Sequence, residues 1–313
     1  MQRKGIDISL VIPARNEQES VETLYGEIIK SLKRLKKKYE IIFVDDGSTD
    51  KTFIKLKKIK KTDPKVKILK LRGGFGKSVA LQVGFENSKG EIIITLDADL
   101  QDNPDQIYKF LNKLDEGYDL VSGWKKKRYD PFTKVIPSRI LNYVTSFLTG
   151  VKIHDINCGF KAYRKKVLEN INIYGELYRF IPVFAAKQNY KIAEVIVNHR
   201  KRKFGITKFG WERNIKGLLD LITITFLTGY FRRPGHFFGT LGLTSLFIGT
   251  VIGIYITYLR VTTGSIQDRH PLLFLGMLLI IVGIQLISTG LLAEMNLYNR
   301  EKQSLKWVVE KKV

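Results

Sequence analysis

Acidic side chains gather at two places in this sequence, Asp45-Asp46-Gly47-Ser48-Thr49-Asp50 and Asp97-Ala98-Asp99-Leu100-Gln101-Asp102, each directly after an apolar run of strand length. Two carboxylates spaced i, i+2 at a strand end can hold a hard cation and the oxygens of a diphosphate together, because Mg2+ and Mn2+ prefer oxygen ligands and keep positions open for phosphate. Such a cation would neutralise a departing nucleoside diphosphate. Capping of the following helix by Asp50 or Asp102 is the plainer alternative. Two acidic strand ends before the same kind of turn favour the metal. Arg72-Gly73-Gly74-Phe75-Gly76-Lys77 adds a close backbone approach with a cation near phosphates. It is not a Walker motif, since the position five before Gly76 is Leu71, and Val79 replaces the third glycine of a dinucleotide fingerprint.

In an open α/β sheet, ligands bind outside the carboxyl ends of the strands, so the elements ahead of these clusters decide the site. Apolar runs predict strands at Ile8 to Ile12, Glu40 to Val44, Lys67 to Leu71, Glu91 to Leu96, Leu120 to Ser122 and Ile192 to Val197. They alternate with helical patterns, which predicts an α/β fold with a mostly parallel sheet and flanking helices. The clearest helix carries Val21, Leu24, Tyr25, Ile28, Leu32 and Leu35 on one stripe, with Lys33, Arg34, Lys36, Lys37 and Lys38 at its C-terminal end, where the dipole favours cations.

With 313 residues and 44% hydrophobic content, the chain can bury a sizeable core and carry an appendage. A formal charge of +23 calls for an anionic partner: nucleic acid, acidic lipid or a phosphorylated substrate. The single cysteine, Cys158, excludes an intrachain disulfide, and the four scattered histidines are a poor basis for zinc. Two stretches, His236 to Leu259 and His270 to Ala293, contain no Asp, Glu, Lys or Arg, and each has about the twenty residues a membrane span needs. Two transmembrane helices are expected, with buried core helices as the alternative. Arg232 and Arg233 before the first and Arg300, Lys302, Lys306, Lys311 and Lys312 after the second outnumber Arg260 and Arg269 between them, which puts both termini in the cytoplasm. Ahead of the spans, Ile215, Leu218, Leu219, Ile222 and Phe226 recur at helical spacing, as in a helix lying on the membrane or packed against the globular domain. The expected organisation is a catalytic domain over 1–211, an interfacial amphipathic helix over 212–235, two spans over 236–294 and a tail over 295–313.

Four ordered motifs resemble family 2 glycosyltransferases of the GT-A fold, in particular the branch that includes dolichyl-phosphate mannose synthases and undecaprenyl-phosphate glycosyltransferases. They are Val11-Ile12-Pro13-Ala14-Arg15-Asn16-Glu17, Val44-Asp45-Asp46-Gly47-Ser48-Thr49-Asp50, Gly76-Lys77 and Asp97-Ala98-Asp99-Leu100-Gln101-Asp102. The resemblance covers nearly the whole chain and implies a Rossmann-like mostly parallel sheet plus two C-terminal transmembrane helices. It places Pro13, Arg15, Glu17, Val44 and Asp46 in the nucleoside pocket, Gly76, Lys77, Asp97 and Ala98 along the nucleotide sugar, and Asp97, Asp99 and Gln101 on Mg2+ or Mn2+. Relatives often carry an aromatic residue where this chain has Arg15. The segment His154 to Tyr163 resembles the one holding the family's acidic residue near the reacting centre, which here is Asp155. Arg202 to Lys208 resembles an Arg-x-x-Gly-x-Ser-Lys segment with Thr207 for serine, so Asp155, Asp99 and Arg202 are the implied catalytic residues. Lys125, Arg128, Ser138, Arg139, Lys161, Arg202 and Lys208 are the implied grip on the lipid phosphate and diphosphate.

What the resemblance implies is inverting transfer of a hexose from a UDP- or GDP-sugar to undecaprenyl or dolichyl phosphate, on membrane lipids and by a homo-oligomer, a tetramer among the candidates. A processive polysaccharide synthase shares the nucleotide motifs, but such enzymes carry Gln-x-x-Arg-Trp, and none of Trp124, Trp211 and Trp307 follows an arginine here. A non-catalytic scaffold that kept the pocket is the alternative outside enzymes. Nucleic-acid binding fits the charge but lacks a recognised module.

Overall fold

A computed structural model describes residues 5–126, 132–169, 171, 173–201, 204, 234–266 and 268–301. The chain divides into two units, 1–228 and 229–313. In the first, β1 (Ile8–Ala14) and β2 (Tyr39–Asp45) are apolar runs buried on both faces, as expected of strands inside a parallel sheet. Around them assemble β3 (Val66–Lys70), β4 (Ile92–Thr95), β5 (Leu120–Trp124), β6 (Lys161–Arg164) and β7 (Ile192–Ile196) in the order β3-β2-β1-β4-β6-β5-β7. Every pairing is parallel except those of β6, which runs antiparallel to both β4 and β5. The sheet is thus mostly parallel, as the alternating pattern requires, and β6 is the strand that periodicity alone does not reveal.

Alternate strand residues feed two cores. Ile8, Leu10 and Ile12 pack with α1 (Val21–Arg34), α2 (Thr52–Thr62) and α4 (Ile107–Asp115) through Leu24, Ile28, Leu56, Phe110 and Leu114. Val11, Ile42 and Val44 face α3 (Lys77–Glu86), joined by Val167 of α6 (Lys165–Leu168) and Ile181 of α7 (Ile181–Lys187). A β-carbon at Gly84 would lie 2.3 Å from Val11 Cγ1, so only glycine lets α3 lie this close to β1. A further helix, α5 (Phe132–Thr149), follows β5.

Register brings one edge of the sheet to the site. Ala14 pairs Asp45, so β1 and β2 end together, and β4, whose last residue Thr95 pairs Val11, runs toward the same edge. Because β6 is reversed, its first residue, Lys161, pairs Thr95 and Ser122 at that same edge.

The second unit contains α8 (Pro234–Thr263) and α9 (His270–Glu301). Their apolar stretches, Gly235–Thr263 and His270–Met295, are long and apolar enough to cross a membrane, and only 11% of each tested window is buried within the protein. Glycines at seven-residue spacing meet across the pair: a β-carbon at Gly242 would lie 2.7 Å from the Gly283 carbonyl oxygen, and one at Gly249 would lie 2.7 Å from that of Gly276. Such close backbone approach is how apolar helices associate where no hydrophobic effect drives them together. The Glu294 carboxylate accepts the Gly235 N–H at 2.9 Å, which caps the start of α8. The expected interfacial helix over 212–235 lies almost wholly outside the described residues.

Candidate active site

At the end of β2, the buried Asp46 carboxylate accepts the Phe75 N–H at 2.7 Å and the Gly76 N–H at 3.0 Å, which latches the 73–76 loop to the strand. Gly47 permits the approach: its φ is +65°, and a β-carbon there would lie 2.5 Å from the Gly73 carbonyl carbon. The Arg15 guanidinium covers Gly74, whose β-carbon would lie 2.5 Å from Arg15 Cζ. Pro13 is half-buried and Val44 buried beside these groups in the register. Glu17 lies just before α1, where its Oε2 accepts the Ser20 hydroxyl at 2.9 Å. The resemblance gives no role to Asp45. It is fully buried, and its Oδ2 has no hydrogen-bond partner among the described residues, an acceptor able to take an N–H or O–H.

The second acidic cluster follows β4. Lys77, the first residue of α3, donates to Asp97 Oδ1, and its ammonium also lies 4.9 Å from the centre of the Tyr178 ring. Burial opposes the Lys77 charge, but Asp97 and Tyr178 outweigh it and push the pKa up to about 12. Burial likewise opposes ionisation of Asp97, and Lys77 outweighs it to hold the carboxyl below its ordinary value. A β-carbon at Gly159 would lie 2.5 Å from Asp97 Oδ2, so glycine is required where the neighbouring loop passes this carboxylate. Ala98 is buried, while Asp99 Oδ1 accepts the Gln101 N–H at 3.1 Å across Leu100, whose φ of +62° is uncommon for a branched residue. Gln101 is tied to the chain beyond β7, for its carbonyl accepts the Arg200 N–H at 2.9 Å.

Two lysines expected on phosphate turn inward. Lys125 Nζ lies 2.8 Å from the buried Asp102 carboxylate; burial works against its charge, but Asp102 raises its pKa above the ordinary lysine value. Lys161, 2% exposed, donates to the Ile156 carbonyl at 3.2 Å and to the Cys158 carbonyl, and burial, assisted by the Lys77 ammonium, lowers its pKa to about 8. Its amine is enclosed where it meets these carbonyls of the 156–158 loop, at the start of a strand between β4 and β5. These contacts order the loop that carries Asp155, itself 1% exposed, whose Oδ2 accepts the Lys125 N–H at 3.4 Å. Ser138 on α5 joins the same loop by accepting Asn157 Nδ2 at 3.1 Å. Arg128, Arg202 and Lys208 lie outside the described residues, as does the side chain of Arg139.

Among the described residues, no group of three His, Cys, Asp or Glu side chains could hold a metal alone. The donor set at the β4 end is two carboxylates at i, i+2 with the Gln101 amide nearby. Hard oxygen donors in that number suit Mg2+ or Mn2+, which bind through one or two carboxylates and complete their shell with phosphate and water.

The family described as Glycosyl transferase family 2 matches residues 9–171, which hold all of these acidic groups. The dodecaprenyl-phosphate galacturonate synthase of Rhizobium johnstonii is 35% identical over 313 residues, spanning 98% of this chain and 93% of its own. The undecaprenyl-phosphate 4-deoxy-4-formamido-L-arabinose transferase of Photorhabdus laumondii is 31% identical over 310 residues, with 98% and 94% covered. Among solved structures, glucosyl-3-phosphoglycerate synthase from Mycobacterium tuberculosis, in complex with Mn2+, UDP and phosphoglyceric acid, superposes with a TM-score of 0.53 at 21% identity, covering 71% of this chain and 78% of that one. Mannosyl-3-phosphoglycerate synthase from Rubrobacter xylanophilus gives 0.56 at 15% identity, with 71% and 74% covered. These two establish likeness of fold. The fold likeness and the register that brings β1, β2, β4 and β6 to one acidic edge give the chain the GT-A fold, and the family match over residues 9–171, with relatives 35% and 31% identical over 98% of its length, makes it a glycosyltransferase that belongs to glycosyl transferase family 2.

Proposed function

We propose that the enzyme transfers a hexose from a UDP- or GDP-sugar to a polyprenyl phosphate, undecaprenyl or dolichyl, with inversion at the anomeric carbon. The observation that carries this reading is similarity over 98% of the chain, apolar helices included, to a relative named for a polyprenyl-phosphate sugar. The same helices and the charge excess of their flanks support a cell-membrane protein with the catalytic domain over 1–211 and both termini in the cytoplasm.

A phosphate oxygen of the lipid forms the new bond to the anomeric carbon while the bond from that carbon to the nucleoside diphosphate breaks, and the electron pair leaves with the diphosphate. The acceptor phosphate has a second pKa near 6, so the attacking oxygen needs little deprotonation. Asp155 is read as orienting the reactants more than taking a proton; it is buried, and the Lys125 N–H fixes its carboxylate. When bound, Mg2+ or Mn2+ at Asp97, Asp99 and Gln101 supplies charge neutralisation to the departing diphosphate. Asp46 serves the nucleoside side through the 73–76 loop it latches. Lys77 at the diphosphate, with Arg202 and Lys208, brings positive charge where two anions must meet, while Lys125 and Lys161 serve the reaction by ordering the Asp155 loop.

The test is incubation of the purified full-length protein with UDP- and GDP-sugars and undecaprenyl phosphate, with glycolipid read by mass spectrometry. Product is expected from a subset of donors, and both EDTA and Asp99→Ala should lower turnover by about a hundredfold or more. Turnover indifferent to both would remove the metal from the reading, and no glycolipid from any donor would remove the lipid acceptor.

A further inference from the structure

Lys77 is seated on Oδ1 of Asp97, one of the two oxygens this carboxylate could offer a cation. Gly159 packs against the whole of this carboxylate, since a β-carbon there would lie 2.5 Å from Oδ2 and 2.7 Å from Oδ1. Lys77 itself rises from a fixed base: it opens α3, and the preceding Gly76 is hydrogen-bonded to Asp46. In the same position its ammonium lies over the Tyr178 ring face, 4.9 Å from the ring centre. One carboxylate carries a single negative charge, which an ammonium and a dication cannot both claim at short range without repelling each other.

We infer that Lys77 is an exchangeable counter-ion for Asp97: ammonium and divalent cation compete for one carboxylate, and the diphosphate that arrives with the cation receives the displaced ammonium. The inference rests on the reading of Asp97 as a metal ligand. It makes metal and nucleotide bind in concert, since each removes a cost the other would meet alone. It also gives Lys77 two successive partners, which a fixed phosphate-binding lysine does not have.

The experiment is Mn2+ binding to purified full-length protein, followed by the electron paramagnetic resonance signal of free Mn2+, with Mn2+ alone and with UDP or GDP added. Wild type should bind Mn2+ alone about tenfold or more weakly than with the nucleotide it uses, a coupling of ordinary size. Lys77→Met should bind Mn2+ alone about tenfold more tightly than wild type and lose most of the gain from nucleotide. Lys77→Arg, which keeps the charge, should stay near wild type, and Asp97→Asn should abolish binding. Mn2+ should also raise the melting temperature of Lys77→Met more than that of wild type. Where Lys77→Met fails to fold, Lys77→Gln carries the same comparison. Mn2+ binding that needs Asp97 but is no tighter in Lys77→Met than in wild type overturns the exchange and leaves the metal reading standing. Absence of Mn2+ binding to wild type with either nucleotide overturns both.

Discussion

A lysine amine shut away from water is costly unless something accepts its protons, and Lys161 has two carbonyls of the Asp155 loop to do so. Its lowered pKa has a direct consequence for stability. Between about pH 8 and the ordinary lysine value of 10.5, the folded amine has released its proton while the unfolded chain still holds one, so stability contributed at this site rises with pH. The neighbouring Cys158 thiol, pushed up by burial to about 12, acts in the opposite direction above its ordinary value of 9.0. The comparison that isolates Lys161 is therefore wild type against Lys161→Met: the melting temperature of wild type should gain on that of the variant as pH goes from 8 to 10. Parallel melting curves over that range would mean the amine titrates normally. The resemblance implies a phosphate grip for Lys125 and Lys161, but the sequence does not say which way they face, because orientation follows from the partners Asp102, Ile156 and Cys158, brought close only by folding. For the same reason Asp46 can be read as a pocket residue, while its grip on the Phe75 and Gly76 amides cannot.

At the scale of elements, six strands are legible because each is an apolar run with clear ends. The seventh, Lys161-Ala162-Tyr163-Arg164, has a charge at each end and two apolar residues between, too short a pattern to announce a strand. Tertiary context creates it: β4 and β5 leave a gap one strand wide, and pairing on both sides satisfies its backbone. The apolar helices were equally legible, but the glycines that join them gain meaning only as pairs. Gly242 and Gly283 are each 2.7 Å from the other's carbonyl oxygen by the measure of an added β-carbon, so a leucine at either position must force the helices apart. Gly242→Leu should lower the melting temperature in detergent by several degrees, of the order expected for about 1–3 kcal/mol of overpacking. The nearby Gly239, whose β-carbon would meet nothing within 4 Å, is the control, and Gly239→Leu should melt like wild type. Equal loss in both variants would mean that the helices do not pack through this face.

Across the whole molecule, a formal charge of +23 is paired with two helices that expose apolar surface. Electrostatic attraction to an anionic surface weakens as the Debye length shrinks, from about 10 Å at 0.1 M salt to about 3 Å at 1 M. The apparent KM for polyprenyl phosphate in anionic liposomes should therefore rise with added salt, and it should change much less in zwitterionic ones. An identical salt response in both would assign the positive charge to some other partner. One further consequence concerns the order in which this chain is synthesised. Strands β1 to β4 emerge from the ribosome first and can pair among themselves, yet the outer edge of β4 stays open until Lys161–Arg164 arrives. An unpaired parallel edge is an invitation to aggregate, so the nascent chain is most vulnerable while some sixty residues separating the two strands are being translated. The residue that ends this exposure is Lys161 itself, which means that closing the sheet and ordering the Asp155 loop are a single event, and that a chain truncated before it would be both inactive and prone to precipitate.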